Sequence, residues 1–406
     1  MFVEQSATRL WRVRTAFVLL CLLPAVGLGL WALRRHSAAH RLQVVEAAAR
    51  QLGIEVSCGG VSHPRPGCLR LTDLRLGAWP LGRVDVETTA TEVRFRIDRA
   101  CCEPTAVPML LAIGNRWLTE PGRFPRNAVI EIGSLSWGGD VAGDEIARSL
   151  RVECAAAGGG RGIRVTSPGV TADEVRVVRS VAASTRPGRG RWEVAATLTE
   201  PVPAAVVIAA LEQSPLAGWQ LGRRATMTGV IAAAAGESGW AGEARGSLQR
   251  VDLAAISAAF PQRAEGLASL ELESLVWADN RMTAADLRLA SPRGAIAQEW
   301  LDGLISIIGC RASPAALDRS TEGLREFERL ALQVACDRGG VQLRAEPQRA
   351  GCLVESQGLP LVFEPQGKVT LDRVAWLLSG TRTAAVPGTA ISGWILSVLP
   401  LPQTRQ

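Results

Sequence analysis

The hydrophobic pattern of this chain begins with a run that does not alternate at all. From Thr15 to Leu33 the sequence TAFVLLCLLPAVGLGLWAL holds no charged side chain, with Arg12 and Arg14 before it and Arg34 and Arg35 after it. At 1.5 Å of rise per residue it makes a helix of about 28 Å, close to the thickness of a hydrocarbon core. Pro24, Gly27 and Gly29 would weaken a soluble helix but are tolerated in a membrane helix. Leu42, Val45, Ala49 and Leu52 then recur at helical spacing until Gly53, which predicts a juxtamembrane helix leading out of the bilayer.

Beyond Gly53 the rhythm changes to period two. IEVSC (54–58), CLRLTDLRL (68–76) and RVDVETTATEVRFRI (83–97) alternate as strands do, before an apolar cluster from Met109 to Ile113 predicts a short helix over 104–118. Strand patterns return at 128–137, 146–156, 162–167, 174–184 and 191–200, joined by turn material such as GGD, AGGGRG and RPGRG. Helices are expected at 204–211, at 296–308 with Ile296, Trp300, Leu304, Ile307 and Ile308 on one face, and after Ser313. There Ser313 is a candidate N-cap, with Pro314 at the first helical position. Strands resume at 330–336, 340–346 and 351–357, and the apolar tail 392–402, too short to span a bilayer, is expected to pack over an end of the body. Segments 224–256 and 265–291 read as repeated hairpins, and 367–378 echoes the strand at 247–256. The expected organisation is a tail (1–14), a membrane segment (15–33), a juxtamembrane helix (34–53), an opening β segment (54–120), a hairpin body with short amphipathic helices (121–402) and a tail (403–406). The fold class is mainly β.

Composition narrows the function classes. Hydrophobic residues make up 47% of the 406, which excludes global disorder, and the 41 glycines and 22 prolines favour turns over long helices. The net charge of +6 suggests a polyanion partner, but its distribution does not. Arg9, Arg12, Arg14, Arg34, Arg35, Arg41 and Arg50 against Glu4 and Glu46 give the first fifty residues +5, so the remainder carries +1. Basic flanks of a membrane helix suit anionic headgroups, and no basic stripe remains for nucleic acid. Lys368, the lone lysine, lies in EPQGKVT, with Val362 and Val369 where a phosphate-binding loop requires Gly and Ser/Thr. No Gly-x-Ser-x-Gly elbow is present, and His36, His40 and His63 are too few and too N-terminal for a triad or a zinc site. The expectation is no catalytic residue, no cofactor and no metal.

Three groups of residues keep a specific role. Trp11 and Trp31 sit at the ends of the apolar run as interfacial anchors, with Thr15 and Leu33 as its limits. Ser37-Ala38-Ala39 has the small residues of a cleavage site, but Arg34, Arg35 and His36 separate it from a run longer than a signal sequence needs, so a retained helix is expected. Arginines on both flanks leave orientation undecided by charge, whereas a short N-terminus before a large body favours the body outside the cytoplasm. Cys58 with Cys68, and Cys336 with Cys352, flank short loops between strands, and each pair is either a cross-hairpin disulfide or two free, buried thiols. Trp137, Trp192, Trp240 and Trp277 lie near strand ends and either cap a core or line a groove.

The stretch GIEVSCGGVSHPRPGCLRLTDLRL (53–76), behind a single span and a short helix, resembles the opening of AsmA-like and TamB-like envelope proteins. LELESLVWADNRMTAADLRLAS (270–291) and the amphipathic helix after it resemble the repeats of that superfamily, and secretion-pathway N proteins share such hairpins. The resemblance covers most of residues 15–300. It implies an elongated, twisted, curved antiparallel sheet with an apolar concave face that carries acyl chains. It also implies a single-pass inner-membrane anchor, a periplasmic body and a part in lipid transport or envelope biogenesis. Membrane lipid and envelope proteins are the implied partners. About 18–20 strands at roughly 4.8 Å each would give a sheet on the order of 90 Å. The same faces packed on one another as a sandwich would leave no groove, and a structural or assembly subunit of a secretion or envelope complex is the alternative function.

Overall fold

The computed structural model describes residues 7–35, 37–138, 144–157, 159–167, 173–180, 191–210, 221–236, 239–258, 260, 262–317, 323–347, 350–379 and 397–400. The apolar run forms α1 (Ala7–Phe17), a π turn (Val18–Leu22) and α2 (Leu23–Arg35) without a break. Pro24 has no N–H to give one turn back, and the widened turn in which the Leu23 N–H bonds to Val18 O absorbs it. After Ser37, whose hydroxyl accepts from the His40 N–H, α3 (Ala38–Leu52) runs to Gly53 in the left-handed conformation.

Period two then builds the sheet. It opens with β1 (Val56–Ser57), β2 (Gly60–Arg65), β3 (Cys68–Leu76), β4 (Trp79–Thr88) and β5 (Glu92–Cys102). The run 83–97 is thus two strands around a turn in which Thr89 and Glu92 bond each other. A 3-10 turn (Pro104–Ala106) and α4 (Val107–Thr119) carry the chain back, so β6 (Asn127–Trp137) pairs parallel to β5. Antiparallel neighbours follow in chain order: β7 (Asp144–Ala157), β8 (Gly160–Ser167), β9 (Asp173–Ser180), β10 (Arg191–Pro203), then α5 (Ala204–Ala210), β11 (Thr226–Ala235) and β12 (Trp240–Asp252). After α6 (Leu253–Ser257) come β13 (Ala264–Ala278) and β14 (Arg281–Ser291).

The chain leaves the main ladder here and folds over its end. β15 (Gly294–Ala297) and β17 (Leu324–Phe327) extend the start of β13 as a small second sheet. Between them lie α7 (Gln298–Gly303), a second π turn (Leu304–Ile308), β16 (Arg311–Ala312) and a 3-10 turn (Pro314–Leu317). The ladder resumes with β18 (Arg329–Asp337) on β14, followed by β19 (Gly340–Arg344), β20 (Cys352–Ser356), β21 (Leu359–Phe363) and α8 (Leu371–Ser379). From β2 to β19 the main sheet makes fourteen interstrand steps, roughly 67 Å at about 4.8 Å each.

The mainly β class and the two repeated hairpins, β11–β12 and β13–β14, agree with the pattern in the sequence. Three elements differ. Ile296 belongs to β15, so the helix expected from it begins at Gln298. Of the helix expected after Ser313, the described residues form the 3-10 turn Pro314–Leu317; the Ser313 hydroxyl caps nothing there and its N–H bonds to Leu361 O. Within 367–378 only Val369 is strand-like, bridging to Val341, and from Leu371 the chain is helical as α8, with Val374 and Leu377 facing the core. The tail 392–402 lies outside the described residues except for 397–400, where Leu399 packs beside Ala285, Cys336 and Val341.

Candidate functional site

Residues paired across strands share a face of the sheet, so the registers show what each face carries. One row reads Leu69, Val86, Phe95, Ile130, Val152, Val165, Val175, Ala196, Ile231, Ala244, Leu275, Ala285, Cys336 and Val341. It crosses the main ladder from β3 to β14 and on through β18 and β19 without a charged side chain. Beside it, Leu198, Gly229, Gly246, Leu272, Leu287, Val334 and Leu343 form a second apolar row on the same face. A bulge at Glu273 keeps Leu272 and Leu275 on this face together.

The opposite face is charged. Arg70, Asp85, Arg96, Glu131 and Arg151 follow one another on adjacent strands with alternating sign. Arg70 grips Asp85 with two bonds of 2.7 and 3.0 Å, and Glu131 takes Arg96 at 3.3 Å and Arg151 at 3.2 Å. These bonds hold the Asp85 carboxyl below its ordinary pKa, chiefly through the Arg70 hydrogen bonds.

Helices cover the apolar face at both ends. At the start, Val45, Ala48, Ala49 and Leu52 of α3 pack on Val56, Leu71 and Val84. Trp117 and Leu118 of α4 bury Cys154 beside Ile163 and Val177. The carbonyls at the end of α4 meet two guanidiniums: Arg161 stacks over Trp117 and donates to Trp117 O at 3.2 Å, while Arg179 stacks over Trp192 and donates to Leu118 O. At the far end α7, the π turn and α8 bring Leu301, Ile308 and Leu377 against Leu330 and Val354.

Between these caps, over β10–β14, the apolar face is only half-buried. Val194, Ala196, Leu198, Ala233, Ala244, Leu272, Leu275 and Leu287 are partly exposed, and Ile231 is 36% exposed. Five strands make an opening roughly 19 Å across. Its floor is lowered by Gly229, Gly242 and Gly246, where an added Cβ would stand 2.3–2.5 Å from backbone oxygens of the neighbouring strand. The Trp277 ring lies over Gly242, its Cζ2 2.7 Å from where that Cβ would be. Trp277 therefore lines the face, Trp192 and Trp137 cap buried clusters, and Trp240 is 38% exposed.

The N-terminal helix is long and apolar enough to cross a membrane: within Trp11–Arg35 the most apolar 18-residue window has a mean hydropathy of 2.4, and none of it is buried. Trp11, Trp31 and Leu33 are exposed, Arg35 stacks over Trp31 at 4.2 Å, and Thr15 Oγ1 donates to Trp11 O. Neither expected cysteine pair is bridged, and the registers give the reason. Cys58 follows Ser57, which pairs with Arg75, whereas Cys68 pairs with Arg65. That separates the two by about 20 Å along β3, against the roughly 7 Å a disulfide allows. Cys336 pairs with Val341 and Cys352 with Phe363, and β20 meets β18 only at Arg329 and Leu330, leaving those thiols about 13 Å apart. Burial pushes the Cys154 and Cys310 thiols up to about 12.

Sequence spacing missed one juxtaposition. His40 and His63 meet with Nε2 atoms 3.2 Å apart, Arg41 donates to Gly59 O at 2.8 Å, and Arg116 of α4 donates to Leu52 O at 2.6 Å. Together they fasten both ends of α3 to the body. No local signal encodes this, because the partners come from elements far apart in the chain. Among the described residues no three His, Cys, Asp or Glu side chains converge as metal ligands. Fold and face define a mainly β chain with one long, two-faced sheet behind an apolar helix of membrane-spanning length. No protein-family model matches the chain, and no curated protein or solved structure shows a significant match.

Proposed function

We propose that this is a non-enzymatic, membrane-anchored envelope protein of the AsmA-like and TamB-like kind, whose apolar sheet face carries lipid acyl chains. In this reading the N-terminal helix holds the chain in the inner membrane and the body stands in the periplasm, contributing to lipid transport or envelope biogenesis. The observation that carries it is the unbroken apolar row from Leu69 to Val341, partly exposed where it crosses β10–β13. A face this apolar must be covered by something, and among the described residues helices cover only its ends. An elongated face without convergent polar groups suits a flexible hydrocarbon chain better than a substrate that must be held at fixed atoms.

The test is lipid extraction from the full chain, purified in a lipid-free detergent and washed, followed by mass spectrometry. Phospholipid or glycolipid at about one molecule per chain is expected, and it should fall sharply in Leu272→Asp and Ile231→Asp. Val230→Asp, on the other face, should keep it. A folded chain without lipid would transfer the reading to a scaffold subunit of an envelope complex.

A further inference from the structure

The charged face breaks its own rule at β9–β12. Elsewhere on it, arginines and carboxylates of adjacent strands pair with one another, whereas here small residues fill most of β10 and β11, with Glu193 and Thr197 among them, and the charges on β9 stand apart from those on β12. One row reads Arg176, Ala195, Ala232, Glu243, and the next reads Glu174, Thr197, Val230, Arg245. Across each row the charges are three strands apart, about 14 Å, which is too far to pair within one chain. Glu174 bonds Arg164 of β8 at 3.0 Å, whereas Arg176, Glu243 and Arg245 have no ion-pair partner among the described residues, and Arg176 lies directly opposite the like-charged Arg164. A shallow depression of about 460 Å³ opens over Ala195, Ala232, Ala234 and Ala241.

The two rows are antisymmetric in charge about the seam between β10 and β11. That is the pattern a two-fold interface requires, in which residue i meets j and j meets i. We propose that this face is the interface of a homodimer, two sheets packed back to back about a two-fold axis along the β10/β11 seam. Arg176 then faces Glu243 of the partner subunit, Glu174 faces Arg245 of the partner subunit, and each pair occurs twice. Alanine at the centre lets the sheets approach closely enough for these side chains to reach across. A partner with a different charge pattern would leave one end of each row opposed by a like charge or by none. In this dimer both apolar faces point outward.

The test uses the full chain in detergent, with the protein mass measured by light scattering and sedimentation. A particle of two 43.1 kDa chains is expected. Arg176→Glu and Glu243→Arg alone should each weaken dimerisation about 100-fold, because each places like charges together twice. Mixing the two variants should restore a dimer, since every cross-interface pair in the mixed species is again opposite in sign. These exposed substitutions should leave the circular dichroism spectrum unchanged. A wild-type chain that stays monomeric through the micromolar range overturns the proposal. So does a dimer that ignores both reversals, or a mixture that fails to reassociate.

Discussion

Gly53 links α3 to the sheet, and replacing it with alanine should have a cost that can be worked from the structure. Its φ of 67° lies in the left-handed region, and a Cβ there would stand 1.8 Å from Arg116 Nη1. Alanine in that conformation costs about 1 kcal/mol. The guanidinium must also move, releasing its 2.6 Å bond to Leu52 O. A bond from a charged donor in a partly buried site is worth about 1.5–3 kcal/mol, so Gly53→Ala should destabilise the docking of α3 by about 2.5–4 kcal/mol. Amide hydrogen exchange over residues 44–52 reads that local opening directly and should speed up by about 10²–10³-fold. Arg116→Ala should cost a similar hydrogen bond, and in that background Gly53→Ala should cost only the backbone conformation, about 1 kcal/mol. Strictly additive effects, or an unchanged exchange rate in Gly53→Ala, would refute the clasp.

Two further outcomes follow from the charged face and the thiols. The Asp85 carboxyl is held below its ordinary 3.8 by Arg70. Its contribution is therefore complete above that value and lost as pH falls through it toward the lower folded value. Denaturant midpoints between pH 6 and pH 2.5, each compared with Arg70→Gln, should differ at the upper end by less than about 1 kcal/mol and converge at the lower, and a difference that grew on acidification would contradict the pairing. Native alkylation at mildly alkaline pH should spare Cys154 and Cys310, both pushed up to about 12 by burial, and denaturation should expose all 9 thiols. Fewer than 9 would show a bridge.

The sequence revealed what depends on neighbours in the chain and concealed what depends on distant partners. The Thr15–Leu33 run needs no partner to be read as a helix, and the hairpins of β11–β12 and β13–β14 follow from alternation and turn residues. Alternation also says that Ile231 and Val230 point to opposite sides. It does not say that Ile231 stands opposite Ala244, nor that a bulge at Glu273 keeps the apolar row intact past β13. The parallel pairing of β5 with β6 is set by α4 folding back over the sheet, a long-range event. Leu371, Val374 and Leu377 fit a helical period as well as the segment fits a strand, and packing on Leu301 and Leu304 decides for α8. Cys58 and Cys68 look like a hairpin pair only until β1 and β2 are seen to occupy opposite ends of β3.

The proposal that the apolar face carries lipid is tested most directly by placing an environment-sensitive fluorophore on a single introduced cysteine at Ile231 or at its neighbour Val230, which are about equally exposed but on opposite faces. The full chain is then reconstituted with phospholipid brominated on the acyl chains. Strong quenching at 231 with little at 230 is expected if acyl chains occupy the apolar face of β10–β14. Equal quenching at both positions, or none at 231, would contradict it.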